Sequence, residues 1–209
     1  MAETTALIDY GAGNLRSVAN ALAAAGANGV AVTADPDVVR RADRIVLPGV
    51  GAFRACIEAL GAVPGLIEAM TERVEQGGAP FLGICVGMQL LATRGVEFGV
   101  THGLGWIEGE VRRIDAADPA IKVPHMGWND VVPMAQGGAA GLVVPGEAYF
   151  LHSFHFAVTD PAAVAATTDH GGALVAAVAK DTVLGVQFHP EKSQGYGIAL
   201  LTRFLAWKP

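Results

Sequence analysis

In the first hundred residues, short apolar runs alternate with longer stretches whose apolar side chains recur at helical spacing. Ala6-Leu7-Ile8 precedes residues 14–25, Val30-Ala31-Val32 comes next, Ile45-Val46-Leu47 precedes 65–76, and 81–84 precedes 87–94. This rhythm predicts an α/β fold, an open and mostly parallel sheet with covering helices. Past Gly103 the pattern changes to strand-like pieces separated by Gly, Pro and Asp, at 106–113, 129–132, 149–156 and 182–188, so the second half is predicted to be β-rich. Ile198, Leu201, Phe204 and Leu205 share one helical face and predict a closing helix over 197–207. No repeat or low-complexity linker interrupts the chain. Residues 136–141, Gln-Gly-Gly-Ala-Ala-Gly, read as a flexible loop rather than a boundary. A length of 209 residues fits one α/β domain spanning 1–209.

Composition narrows the classes of function. Apolar residues make up 52% of the chain and charged residues 16%, with mean hydropathy +0.40, which hints at apolar surface that meets a partner. A net charge of -6 and the lack of a basic stripe argue against nucleic acid or an anionic membrane as partner. The opening Met1-Ala2-Glu3-Thr4-Thr5 lacks the charged and apolar segments of a signal peptide, and no apolar run is long enough to span a bilayer. A cytoplasmic location is therefore expected, with Cys56 and Cys85 as free thiols.

The stretch richest in chemistry is Gly83-Ile84-Cys85-Val86-Gly87-Met88-Gln89, an apolar strand running into a cysteine with glycine two residues to either side. This is the cysteine form of a nucleophile elbow, in which a tight turn pushes the nucleophile out of the sheet. The following helix would aim free N–H groups at Cys85, with the Val86 N–H facing a developing oxyanion. A lone cysteine is more often a core residue; the glycine pair at a strand-to-helix junction favours chemistry. An attacking thiol needs a proton donor for the leaving nitrogen, and Phe188-His189-Pro190-Glu191 offers one. Pro190 biases His189 towards an extended trace, which would put Glu191 on the same side as the ring. Alone, this is an ordinary loop histidine beside an acid, but with the elbow it makes a triad. Pro48-Gly49-Val50-Gly51 follows the strand 45–47, where a backbone N–H can swing towards an oxyanion.

Taken together, Gly-Ile-Cys-x-Gly-Met-Gln at 83–89 and His-Pro-Glu at 189–191 resemble the class I, triad type, glutamine amidotransferases. Ile8-Asp9-Tyr10-Gly11-Ala12-Gly13-Asn14, Pro48-Gly49-Val50-Gly51, Pro124-His125-Met126-Gly127-Trp128-Asn129 and Tyr149-Phe150-Leu151-His152-Ser153 make the chain similar to one branch, the glutaminase subunits of imidazole glycerol phosphate synthase in histidine biosynthesis. The resemblance implies hydrolysis of L-glutamine through a glutamyl thioester on Cys85, with His189 as proton carrier oriented by Glu191. It implies substrate contacts at Gly49, Val50, Gly51, Val86, Gln89, Glu97 and Ser153, where Glu97 would meet the ammonium and backbone N–H groups the carboxylate. It also implies a heterodimer with a (β/α)8 cyclase subunit that receives the ammonia, docking on Asn14, Met126, Trp128 and Lys192, and low turnover without that partner. No cofactor is implied. Phe154 stands where relatives often carry tyrosine, and His155 is unusual.

Other classes fit less well. A thiol peptidase could use the same nucleophile and base, but a pocket with Gly51, Gln89 and Glu97 suits one small amino acid. A glutaminase serving purine, anthranilate or pyridoxal phosphate synthesis would not be expected to carry Pro-His-Met-Gly-Trp-Asn, and a non-catalytic subunit would not need all three triad members. The six histidines show no metal-binding spacing; His152 and His155 fall on opposite faces of the strand expected over 149–156. Gly11 and Gly13 lack the third glycine of a dinucleotide loop.

Overall fold

The computed structural model describes residues 3–115 and 121–209. Met1 and Ala2 of the opening segment read above lie outside the described residues. The elements follow in order as β1 (Thr5–Ile8), α1 (Leu15–Ala24), β2 (Val30–Thr33), α2 (Pro36–Arg41), β3 (Arg44–Gly49), α3 (Phe53–Gly61), α4 (Leu66–Thr71, extended by a π turn at Glu72–Gln76), β4 (Phe81–Cys85) and α5 (Val86–Gln89). Strands then dominate: β5 (Ala92–Gly95), β6 (Thr101–His102), β7 (Ile107–Arg113), β8 (His125–Pro133), β9 (Gly146–His152), β10 (Phe154–Val158), β11 (Val164–Asp169), β12 (Ala173–Lys180) and β13 (Val183–Val186). A 3-10 turn at Pro190–Lys192 leads into α6 (Gln194–Ala206).

Nine strands form the main sheet in the order β2-β1-β3-β4-β13-β12-β11-β8-β9. From β2 to β13 the pairings are parallel, and from β13 to β9 they are antiparallel. The parallel part comes mainly from the alternating first half, whose strands β1, β3 and β4 are buried along their whole length, as expected of strands covered on both faces. The antiparallel part comes from the β-rich second half. A smaller sheet, β10-β7-β5-β6, packs beside it. α1 turns Val18, Ala21 and Leu22 into the core, and α6 turns in Gly197, Leu200, Leu201 and Phe204.

Several local expectations change. The stretch 87–94 is not one helix: α5 ends at Gln89, and 92–95 pair with β7 as β5. Met88, Leu90, Leu91 and Ala92 are all buried, so no polar face marks a helical period there. The strand expected over 149–156 is two strands, β9 in the main sheet and β10 in the smaller one, switching at Ser153. Residues 136–141 run into a 3-10 turn (Ala140–Leu142) that is anchored by the buried Ala139 and Leu142.

Candidate active site

The carboxyl ends of β3, β4 and β13 lie side by side, the edge where α/β sheets collect ligands. Cys85 ends β4 with φ 55°, a left-handed conformation that a cysteine adopts only where its surroundings enforce it. The surroundings are backbone. A Cβ on Gly83 would sit 2.7 Å from the Gly87 carbonyl oxygen, and one on Gly87 would run into the Leu47 carbonyl. Strands β3 and β4 and the start of α5 therefore meet main chain to main chain, and the turn can project the Cys85 side chain only outwards. α5 has a single turn, so the helix dipole expected behind the nucleophile is short.

Cys85 opens onto a cavity of about 340 Å³, a size suited to one small molecule. Val50, Gly51, Val86, Gln89, Glu97, Ser153 and His189, all named as site residues from the sequence, line it, together with Lys192, which the sequence placed at the partner interface. Pro124, Leu151, His152 and Phe154 complete the wall. Gly49 does not reach this lining. It lies beneath the elbow, where a Cβ would meet the Gly87 nitrogen at 2.7 Å, so its place is one of close packing.

His189 faces Cys85, and its Nδ1 lies 2.9 Å from Glu191 Oε1, with both side chains almost fully buried. The contact arises differently from the expected extended trace, because residues 190–192 form a 3-10 turn that folds Glu191 back under the ring. Burial works against a charged imidazole here, but hydrogen bonding to Cys85 and Glu191 outweighs it and holds His189 up at about 9. The ring is thus in its acid form at neutral pH.

Gln89 is buried rather than solvated, and its amide nitrogen donates to the Phe154 carbonyl (3.0 Å) and to Gln187 Oε1 (2.9 Å). Glu97 accepts the Phe53 N–H at 2.9 Å and so caps α3, while its side chain borders the cavity. The Ser153 carbonyl accepts the Ile114 N–H.

Three residues near the nucleophile had not been singled out for a role. Gln187 is fully buried, with Nε2 donating to Cys85 Sγ at 3.7 Å. Its signal was a polar residue two positions before His189, at the end of an apolar strand. Tyr10 donates to the Pro48 carbonyl at 2.8 Å, and Cys56 Sγ donates to the Val50 carbonyl at 3.3 Å. Burial pushes both groups above their usual range, so each keeps its proton. The loop 48–51 is therefore fastened by two carbonyls, with Val50 itself exposed and Gly51 at φ 97°.

The residues expected to meet a partner lie outside the cavity except Lys192. Met126 and Trp128 are 66% and 47% exposed on one face of β8, opposite Leu151 and Tyr149 of β9. Lys192 holds its ammonium 5.7 Å from the Tyr149 ring centroid. Asn14 is the residue before α1, half-buried, with no side-chain capping bond.

A family model described as "Glutamine amidotransferase class-I" matches residues 6–206. The chain is 57% identical to imidazole glycerol phosphate synthase subunit HisH of Zymomonas mobilis subsp. mobilis, over 99% of this chain and 97% of that protein. It is 52% identical to the subunit of the same name from Caulobacter vibrioides, over 99% of this chain and 100% of that one. Among solved structures, a glutamine amidotransferase superposes with a TM-score of 0.73 at 21% identity, covering 96% of this chain and 97% of its own, and so shares the fold.

Proposed function

Because the chain belongs to the class-I glutamine amidotransferases, we infer that it is the glutaminase subunit of imidazole glycerol phosphate synthase, which hydrolyses L-glutamine to glutamate and ammonia. The observation that carries this reading is Cys85 on a strained elbow at the floor of a small cavity, facing a histidine whose Nδ1 is bonded to the buried Glu191 carboxylate.

In the proposed reaction, Cys85 Sγ attacks the side-chain amide carbon of glutamine. The oxyanion forms beside the Val86 N–H and the loop at Val50 and Gly51. His189 passes its proton to the departing nitrogen, so ammonia leaves and a glutamyl thioester remains. The now neutral ring takes a proton from water, which attacks the thioester, and glutamate departs as the sulfur is restored. Glu191 keeps the imidazole oriented and favours its charged form. Gln89 shapes the wall through Phe154 and Gln187, and Glu97 supplies negative charge for the substrate ammonium.

The partner proposed is a (β/α)8 cyclase subunit in a heterodimer, where the ammonia is used to make imidazole glycerol phosphate and AICAR. Met126, Trp128 and Leu151 present apolar surface beside the cavity mouth, and Lys192 reaches both the cavity and the Tyr149 ring. Asn14 follows β1 at the same sheet edge. A cytoplasmic site of action fits this reading; among the described residues no helix is long and apolar enough to cross a membrane.

The test is glutamate release from glutamine by the chain alone, then with the cyclase subunit and its phosphoribulosyl substrate. Strong stimulation in the complex is expected, and Cys85→Ala should abolish glutamine-dependent synthesis while leaving synthesis from ammonium salts intact. Unchanged activity on adding the cyclase would reassign the synthase, and no glutamate release under either condition would end the glutaminase reading.

A further inference from the structure

Pro-His-Met-Gly-Trp-Asn at 124–129 does more than present Met126 and Trp128 to the outside. Its alternate side chains, His125 and Asn129, point inwards and start a line of hydrogen bonds. Asn129 Nδ2 lies 2.7 Å from the Asp169 carbonyl and 3.0 Å from His125 Nε2. His125 Nδ1 lies 3.0 Å from His152 Nε2, the two residues being direct cross-strand partners on β8 and β9. His152 Nδ1 lies 2.9 Å from the Phe154 carbonyl, which also receives the Gln89 amide.

The proton positions follow from the fixed acceptor at the end. A carbonyl only accepts, so His152 carries its proton on Nδ1 and presents a bare Nε2. His125 must then donate from Nδ1, which leaves its Nε2 bare to accept from Asn129. The Asn129 amide has two hydrogens, one for the Asp169 carbonyl and one for His125. Every group is satisfied, and the line has one direction, from the partner-facing strand to the wall of the cavity. Both rings are buried, and burial holds them neutral, His125 down at about 4 and His152 at about 3. His125 is clamped between Phe150 and His170, with ring centroids 4.6 and 4.2 Å away and near-parallel planes.

We propose that His125 and His152 are positioning residues for glutamine: their directed hydrogen-bond chain from Asn129 fixes the Phe154 carbonyl, and with it the 151–154 wall against which the substrate lies. The inference rests on the reading of this cavity as the glutamine site. Its structural basis is the break between β9 and β10 at Ser153. There the chain leaves one sheet for another, with the Ser153 carbonyl accepting the Ile114 N–H beyond β7, and the His152 ring spans the break by bonding two residues ahead. Leu151, His152, Ser153 and Phe154 all line the cavity, so a change at this junction reaches the substrate without touching Cys85 or His189.

Two measurements test it. Long-range ¹⁵N–¹H correlation spectra at pH 7 should show Nδ1 protonated and Nε2 bare in both His125 and His152. A proton on Nε2 of either ring overturns the proposal, whether or not the chain hydrolyses glutamine. In the complex with its synthase subunit, His125→Leu should raise KM for glutamine about tenfold, the effect of one lost buried hydrogen bond, with kcat within about twofold. His125→Asn keeps an N–H where Nδ1 stands and should return KM to within about threefold of the starting value. Equal losses in both variants, or a fall in kcat at unchanged KM, would show that His125 only fills space. Absence of glutaminase activity in the unsubstituted complex would instead remove the parent reading and leave the spectra to be judged on their own.

Discussion

Three glycines decide how closely the main chain packs around the nucleophile. Gly49, Gly83 and Gly87 bring β3, β4 and the first turn of α5 into contact at distances that leave no room for a side chain. Gly87→Ala should therefore displace the Leu47 carbonyl or the elbow itself. A shift of about 1 Å at Cys85 is expected to cut glutamine hydrolysis by about a hundredfold, and steady-state assays would read this. Turnover within a few fold of the original would show that the elbow tolerates the methyl group. A second residue-scale prediction concerns His189, whose ring is held at about 9 although burial opposes its charge. Removing the carboxylate charge in Glu191→Gln should move the His189 titration down from about 9 towards its usual 6.5, as followed by NMR of the imidazole. A titration left near 9 would assign the whole effect to Cys85.

The hairpin of β8 and β9 carries an acid sensitivity that β1, β3 and β4, without histidine, cannot have. His125 and His152 titrate well below an unfolded histidine, so the folded form stays neutral where the unfolded chain takes up protons. Stability from this source is intact above pH 6.5 and is lost as pH falls from there through about 4 and then 3. For His125 alone the loss amounts to about 3 kcal/mol at roughly 1.4 kcal/mol per unit. Urea titrations of the original chain and His125→Asn at pH 7, 6 and 5 should show a shallower dependence on pH in the variant, by up to about one proton. Parallel curves would mean that His125 already carries a proton in the fold or is exposed to water. The element scale also shows what the sequence hid. The apolar runs of β1, β3, β4 and β13 and the α6 face were legible, because a buried strand or an amphipathic helix leaves its own pattern. α3 was not, since its first N–H is satisfied by Glu97, 44 residues later, and not by a neighbouring cap. α2 was not singled out either; its start is set by Asp35, which accepts from the Asp37 N–H ahead of a short helix that begins at Pro36. The β9 to β10 break has no local signal, as the alternation continues through Ser153 while the pairing partner changes.

Across the whole molecule, the sheet brings together residues about a hundred positions apart, because β4 and β13 are parallel neighbours and end at the same edge. Cys85, His189 and Glu191 were legible in the sequence because each stood in a dense motif. Gln187 and Tyr10 were not, since their partners lie at long separation, and Cys56, whose partner Val50 is six residues away, reads locally as a core residue. The same edge ends in β9, the last strand of the nine, whose outer face with β8 leaves Met126, Trp128 and Leu151 uncovered. Val32 is exposed to a similar degree, 48%, but on β2 at the far end of the sheet. The pair of sites separates docking from general apolar exposure. If the synthase subunit docks over the cavity mouth, Trp128→Ala removes a large amphipathic anchor and should weaken the complex about thirtyfold, as measured by calorimetric titration. Val32→Ala should leave the Kd unchanged. An unaltered Kd for Trp128→Ala would move the docking face away from β8 and β9, and the ammonia released at Cys85 would then need an exit other than the mouth bordered by Leu151 and Lys192.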